Sequence, residues 1–238
     1  MLYLQNFKKE QKMIGFYVFF GVLMLISLLV SEMLKSRFRR YSQIPLPSGL
    51  TGKEVAEKML RDNGIYDVEV ISTEGELTDH YNPLKKTVNL SRSVYNSNSV
   101  AAAAVAAHEC GHAVQHARAY AWLQMRSALV PVVSFASNWV QWILLAGILL
   151  IGVFPQLLLA GIVLFALTTI FSIITLPVEV DASRRALAWL SNAGITNYET
   201  HDKATDALRW AAYTYFIAAI TSLATLLYYI LIYLGRRD

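Results

Sequence analysis

The sequence predicts a mainly α integral membrane protein with four transmembrane helices and a small α+β part that carries an HExxH helix. Three observations lead there. The chain of 238 residues is 55% hydrophobic and only 16% charged, and its charges leave long gaps. Three of those gaps are of membrane-crossing length, and the middle one is long enough for two spans. Between the first two lies a polar stretch where strand-like alternation gives way to an alanine-rich run ending in His108-Glu109-Cys110-Gly111-His112.

In chain order, residues 1–40 read as an N-terminal anchor helix with a basic flank. Ile14 to Val30 is uncharged, and Ser31 to Arg40 follows with Lys35, Arg37, Arg39 and Arg40 instead of a small-residue cleavage site. A retained anchor is therefore expected, not a signal peptide. Residues 41–126 form the α+β segment. Ile44-Pro45-Leu46-Pro47 is an extended connector. Thr51 and Glu54 make a capping box for a helix stopping at Asn63-Gly64. Tyr66 to Ser72 alternates as a strand, Leu77 to Tyr81 is expected to pair back on it, and Thr87 to Leu90 is a third short strand. This sheet could hold a substrate as an added strand, or could serve only as a packing layer under the next helix.

Residues 127–178 contain no charge and are long enough for two spans, with a turn at Gly152-Val153-Phe154-Pro155. Residues 179–210 are a helical segment that Pro177 is placed to start. Residues 211–238 hold the fourth span, Ala211 to Leu234.

The HExxH stretch carries the chemistry. Ser97-Asn98-Ser99 offers capping side chains, and alanine, which dominates Val100 to Ala107, is the best helix former. Residues four apart lie on one helix face, so His108 and His112 can each present a ring nitrogen to one tetrahedral zinc at about 2.0–2.1 Å. Glu109 stands beside the first ligand as the candidate general base. Cys110 points away from that face and reads as packing. As the only cysteine it also excludes an internal disulfide, which suits a reducing compartment.

A third ligand is needed. The metzincin extension is excluded, because its glycine and histidine positions are Gln115 and Arg118. Glu179, the first charged residue after Arg126, is the best candidate for a His2Glu site. The competing account is an acid that closes a membrane segment or favours a helix N-terminus. Topology supports the ligand. Two crossings separate the histidines from Glu179, so all three lie on one face of the membrane, with both termini on the other.

All of the 21 Lys and Arg residues except Lys8, Lys9, Lys12, Arg236 and Arg237 fall on the site side. That excess points to a cytoplasmic site. The net charge of +4 is accounted for by juxtamembrane basic residues beside anionic lipid, with no nucleic-acid partner required.

Several segments together resemble a known family: Leu77-Thr78-Asp79-His80-Tyr81-Asn82-Pro83, Val88-Asn89-Leu90-Ser91, Ser99 through His116, Arg126 to Pro131 and Leu176 to Ala186. They resemble the neutral zinc metallopeptidases of bacterial membranes, the YugP-like family, over most of the chain. The resemblance implies a zincin-like catalytic part and a membrane peptidase using one zinc ion. Its partners would be the lipid bilayer and a protein or peptide substrate. More distantly the chain is similar to HtpX-like and CAAX-type membrane endopeptidases, in which a glutamate after a hydrophobic hairpin completes the site. Those relatives carry an aspartate four residues beyond that glutamate, where this chain has Ser183, with Asp181 two residues on.

The expected activity is hydrolysis of peptide bonds by metal-activated water, with Glu109 accepting and returning the proton. His116, one turn further along the helix, is a candidate oxyanion donor or support for a ligand; His80, on the expected edge strand, has the same standing and His201 has less. Two other readings compete. A structural zinc clamp would want four ligands and would not need Glu109. A site-2-type intramembrane protease would need a later Leu-Asp-Gly-like segment, and the chain has none.

Overall fold

The computed structural model describes residues 2–235, with side chains from Tyr17 onward. Of the basic residues used above for orientation, the side chains of Lys8, Lys9 and Lys12, and Arg236 and Arg237 entirely, lie outside the described residues. The elements in order are α1 (Leu2–Tyr41), α2 (Gly52–Asp62), β1 (Glu69–Thr73), β2 (His80–Asn82) and β3 (Thr87–Ser91), followed by α3 (Arg92–Tyr95), α4 (Val100–Ala117), α5 (Ala121–Leu149), α6 (Pro155–Asn192) and α7 (Tyr198–Gly235). Four helices are long and apolar enough to cross a membrane: α1 from Tyr17 to Tyr41, α5, α6 and α7. Leu29, Trp142, Val163 and Leu231 face outward from them, as side chains solvated by lipid do.

The spans pack with mixed chemistry. The α5–α6 hairpin closes around Val140, Leu144, Leu158 and Ile162, with Tyr229 and Ile230 of α7 against it. A buried bond of 2.8 Å between the Thr169 and Ser222 hydroxyls joins α6 to α7. Helix α1 lies along α7, where the Tyr41 hydroxyl donates to Asp206 at 2.6 Å.

Outside the spans one core joins α2, the sheet, α4 and the polar ends of α6 and α7. Its members include Val55, Met59, Val88, Leu90, Ala106, Leu190 and Leu208. The capping box of α2 is complete: Thr51 N donates to Glu54 Oε2 at 2.8 Å, and Glu54 N to Thr51 Oγ1 at 3.3 Å. Gly64 ends that helix at φ +73°, a conformation that favours glycine. The connector around Pro45 pairs with the residues before α4, through Leu46 N to Asn98 O at 2.7 Å and Val100 N to Ile44 O at 2.9 Å.

Two expectations are corrected. Pro177 starts no helix; it lies inside α6, which runs unbroken from Pro155 to Asn192. A proline removes one backbone donor, and the packing of α6 on α4, α5 and α7 holds the helix through that loss. The proline that does begin the helix is Pro155, at its first turn. Residues 179–210 are accordingly the end of α6, a turn at 193–197 and the start of α7. Finally, the second strand does not return onto the first. The sheet order is β1-β3-β2, with β3 parallel to β1 and antiparallel to β2. Every residue of β3 is buried, so it takes the centre and leaves β2 as an edge.

Candidate metal centre

Two helices from distant parts of the chain make the site. The first is α4, whose start is fixed by Ser99: its hydroxyl accepts from Ala102 N at 3.2 Å. Three turns on, the rings of His108 and His112 stand edge to face with centroids 4.9 Å apart. The second is α6. It crosses α4 so closely that a Cβ on Gly111 would lie 2.6 Å from the Ala182 carbonyl oxygen. Only glycine allows this approach, and it brings Glu179 over the two imidazoles.

His108 Nε2 is 3.2 Å from Glu179 Oε2, and His112 Nε2 is 3.6 Å from the same oxygen. Ligand atoms from the three residues all lie within 4.8 Å of one another. Ligands at zinc bond lengths on a tetrahedron sit about 3.3–3.4 Å apart. Two imidazoles and one carboxylate at this spacing therefore fit a zinc ion.

Each histidine is held from behind. His108 Nδ1 lies 3.1 Å from the Ser183 hydroxyl, and His112 Nδ1 lies 3.0 Å from Gln115 Oε1. Gln115, fully buried, donates its amide to Val178 O and to Asp181 Oδ2, both at 2.8 Å. With both amide protons committed, Oε1 is the acceptor. His112 must then donate from Nδ1, so the neutral ring carries its lone pair on Nε2, the nitrogen toward Glu179, and the charged ring donates from Nε2 to that carboxylate.

The family model described as "Putative neutral zinc metallopeptidase" matches residues 16–234. The chain belongs to this neutral zinc metallopeptidase family. It is also 42% identical over 204 residues to "Putative membrane protease YugP" of Bacillus subtilis (strain 168), an alignment that spans 86% of this chain and 90% of that protein. No solved structure matches the chain.

In this member of the zinc metallopeptidase family, Glu109 is buried beside the cluster, and its Oε2 accepts from the Tyr81 backbone N–H of β2 at 3.0 Å. The edge strand is thus tied to the motif helix at the residue next to the first histidine. Burial works against a charged His112. The hydrogen bond and charge of Glu179, helped by Glu109, outweigh it, so the imidazole pKa is raised. Burial also pushes up the Cys110 thiol, which sits wholly inside the core with its Sγ 3.5 Å from Ala56 O. Asp79 is raised as well, chiefly by burial and with some help from Glu109, against the pull of hydrogen bonds from Ser91.

The remaining histidines do not join the cluster. His116 Nδ1 lies 2.8 Å from the Tyr81 hydroxyl, His80 Nδ1 bonds Thr78 O at 2.8 Å, and His201 Nδ1 is 3.2 Å from Thr196 Oγ1. Asp181 reaches His112 only through Gln115 and is otherwise held by Arg185 Nε at 2.6 Å. Ser183, at the position where the distant relatives carry aspartate, touches His108 itself.

Three residues with roles here had no role assigned from sequence. Gln115 orients His112. Arg126 of α5 brings Nη1 to 3.5 Å from Glu179 Oε1, and Tyr215 of α7 lies near the Glu179 and Glu109 carboxylates. Arg126 had one visible mark, being the last charge before the apolar hairpin. Tyr215 is one of 13 tyrosines and had none.

Proposed function

We propose that this chain is a membrane-embedded zinc metalloendopeptidase. In this reading His108, His112 and Glu179 hold one zinc ion and Glu109 is the general base. The observation that carries it is the convergence of the two Nε2 atoms and Glu179 Oε2, with the Glu109 carboxylate on the adjoining turn. Zinc bound there supplies a Lewis acid that acidifies water and polarises a peptide carbonyl. Glu109 takes the proton from the attacking water and delivers it to the leaving amine. The Tyr81 N–H holds the Glu109 carboxylate in place for both transfers. Arg126 engages Glu179, and with it steadies the ligand triad. We assign the donor that a developing oxyanion needs to the Tyr215 hydroxyl, which lies near both carboxylates of the site, in place of His116, which is engaged with Tyr81.

In this reading the substrate is a protein or peptide that lies against β2, the edge strand whose Tyr81 N–H meets Glu109. The lipid bilayer is the protein's permanent partner. The excess of basic residues on the site side supports a cytoplasmic orientation of the site, and the likeness to a membrane protease of Bacillus subtilis supports a bacterial plasma membrane.

The test compares zinc content and casein hydrolysis in detergent-purified wild type, Glu109→Gln and Glu179→Ala. The reading requires zinc retained but activity lost in Glu109→Gln, and zinc lost in Glu179→Ala. Full activity in Glu109→Gln would remove the enzyme assignment and leave a zinc-clamped membrane protein.

A further inference from the structure

Beyond the metal cluster, α6 and α7 flank an open cavity of about 560 Å³. Arg184 and Arg209 both line it, one from each helix. The lining contains no carboxylate, and neither arginine has an ion-pair partner among the described residues. The nearby acids are engaged elsewhere. Asp181 accepts from Arg185 and Gln115, and Asp206 accepts from Tyr41 and faces Arg37. Two guanidinium groups that share a cavity and lack an acid are complementary to an anion, above all to phosphate.

The level of the cavity identifies the kind of anion. Arg209 is the last charged residue before the uncharged run to Leu234, so it stands where the span begins. Trp210 and Tyr213, packed edge to face at 5.4 Å, mark the same level, the position such side chains take at a membrane–water interface. The end of the cavity toward the span is apolar, with Val180 and Ala212, and the far end carries Ser191 and His201. A soluble anion has no use for the apolar end.

We propose that this cavity is a headgroup site for an anionic phospholipid, with Arg184 and Arg209 on the phosphate and the acyl chains leaving past Val180 and Ala212. Ser183 lines the cavity and also contacts His108, so lipid and metal ligand share one side chain.

The experiment is native mass spectrometry of the full-length protein in detergent, titrated with phosphatidylglycerol and with phosphatidylcholine of the same acyl chains. Phosphatidylglycerol should be retained more tightly by about fivefold per arginine. Arg184→Gln/Arg209→Gln should abolish the preference. Arg39→Gln/Arg40→Gln, the same loss of charge at an exposed position on α1, should preserve it. Ala188→Trp, which fills the cavity without touching its charge, should weaken retention several-fold and serves if the glutamine pair fails to fold. The proposal is overturned by equal retention of the two lipids in wild type, by an undiminished preference in a folded glutamine pair, or by an equal loss in the α1 pair. Displacement of phosphatidylglycerol by millimolar inorganic phosphate would overturn it too, by assigning the site to a soluble anion.

Discussion

His108 Nε2 and Glu179 Oε2 lie 3.2 Å apart although 71 positions of chain and two membrane-length helices separate them. That contact depends on the crossing of α4 and α6 at Gly111. Gly111→Ala would drive a methyl group into the Ala182 carbonyl. The expected result is a loss of about 1–3 kcal/mol of stability, seen as a lower Tm, together with weaker zinc retention against a chelator.

Gln115 fixes the protonation of His112 without reaching the metal position. Gln115→Met keeps the volume and removes the hydrogen bonds. Zinc affinity should fall by about 10- to 100-fold in a competition titration with a chromogenic chelator, while the helical circular dichroism signal stays unchanged.

Tyr215→Phe separates ligand support from help to the oxyanion. Loss of one oxyanion donor costs about 10²–10³ in kcat. The expected variant keeps its zinc and its KM and loses kcat on that scale. A variant that loses zinc instead would restrict Tyr215 to holding Glu179.

Asp79 gives a pH dependence with a definite sign. Burial raises its folded-state pKa above the unfolded value, so the charged form is disfavoured in the folded protein. Its contribution to stability therefore improves as pH falls through the raised value toward the ordinary one, and is poorest at neutral pH. Asp79→Asn removes the titration. The Tm of wild type relative to Asp79→Asn should rise between pH 7 and pH 4; a difference that stays flat would contradict the assignment.

Much of this architecture was legible because it is local or follows from parity. The cap at Ser99, the capping box at Thr51 and the turn at Gly64 are short-range hydrogen-bonding rules. The spacing of His108 and His112 is one helical turn. That Glu179 returns to the same side follows from an even number of crossings. The remainder depends on how helices cross. Gln115, Arg126 and Tyr215 reach the cluster from three different helices, and no local pattern encodes the angles between those helices. Pro177 misled because its local preference is to begin a helix, whereas packing along all of α6 outweighs one missing donor. The order of the strands was hidden for a related reason: the fully buried β3 pairs by burial, not by sequence adjacency.

The order of the cluster along the chain has a consequence for synthesis. A ribosome makes the two histidines first and the glutamate only after the hairpin of α5 and α6. Until that hairpin has inserted and come back, the emerging chain has Glu109 and two imidazoles but lacks Glu179 to complete the set. A chain whose hairpin stalls halfway leaves Glu179 on the wrong side of the bilayer. Correct insertion is thus a precondition for assembling the cluster, and a nascent or misrouted copy is disarmed by geometry alone.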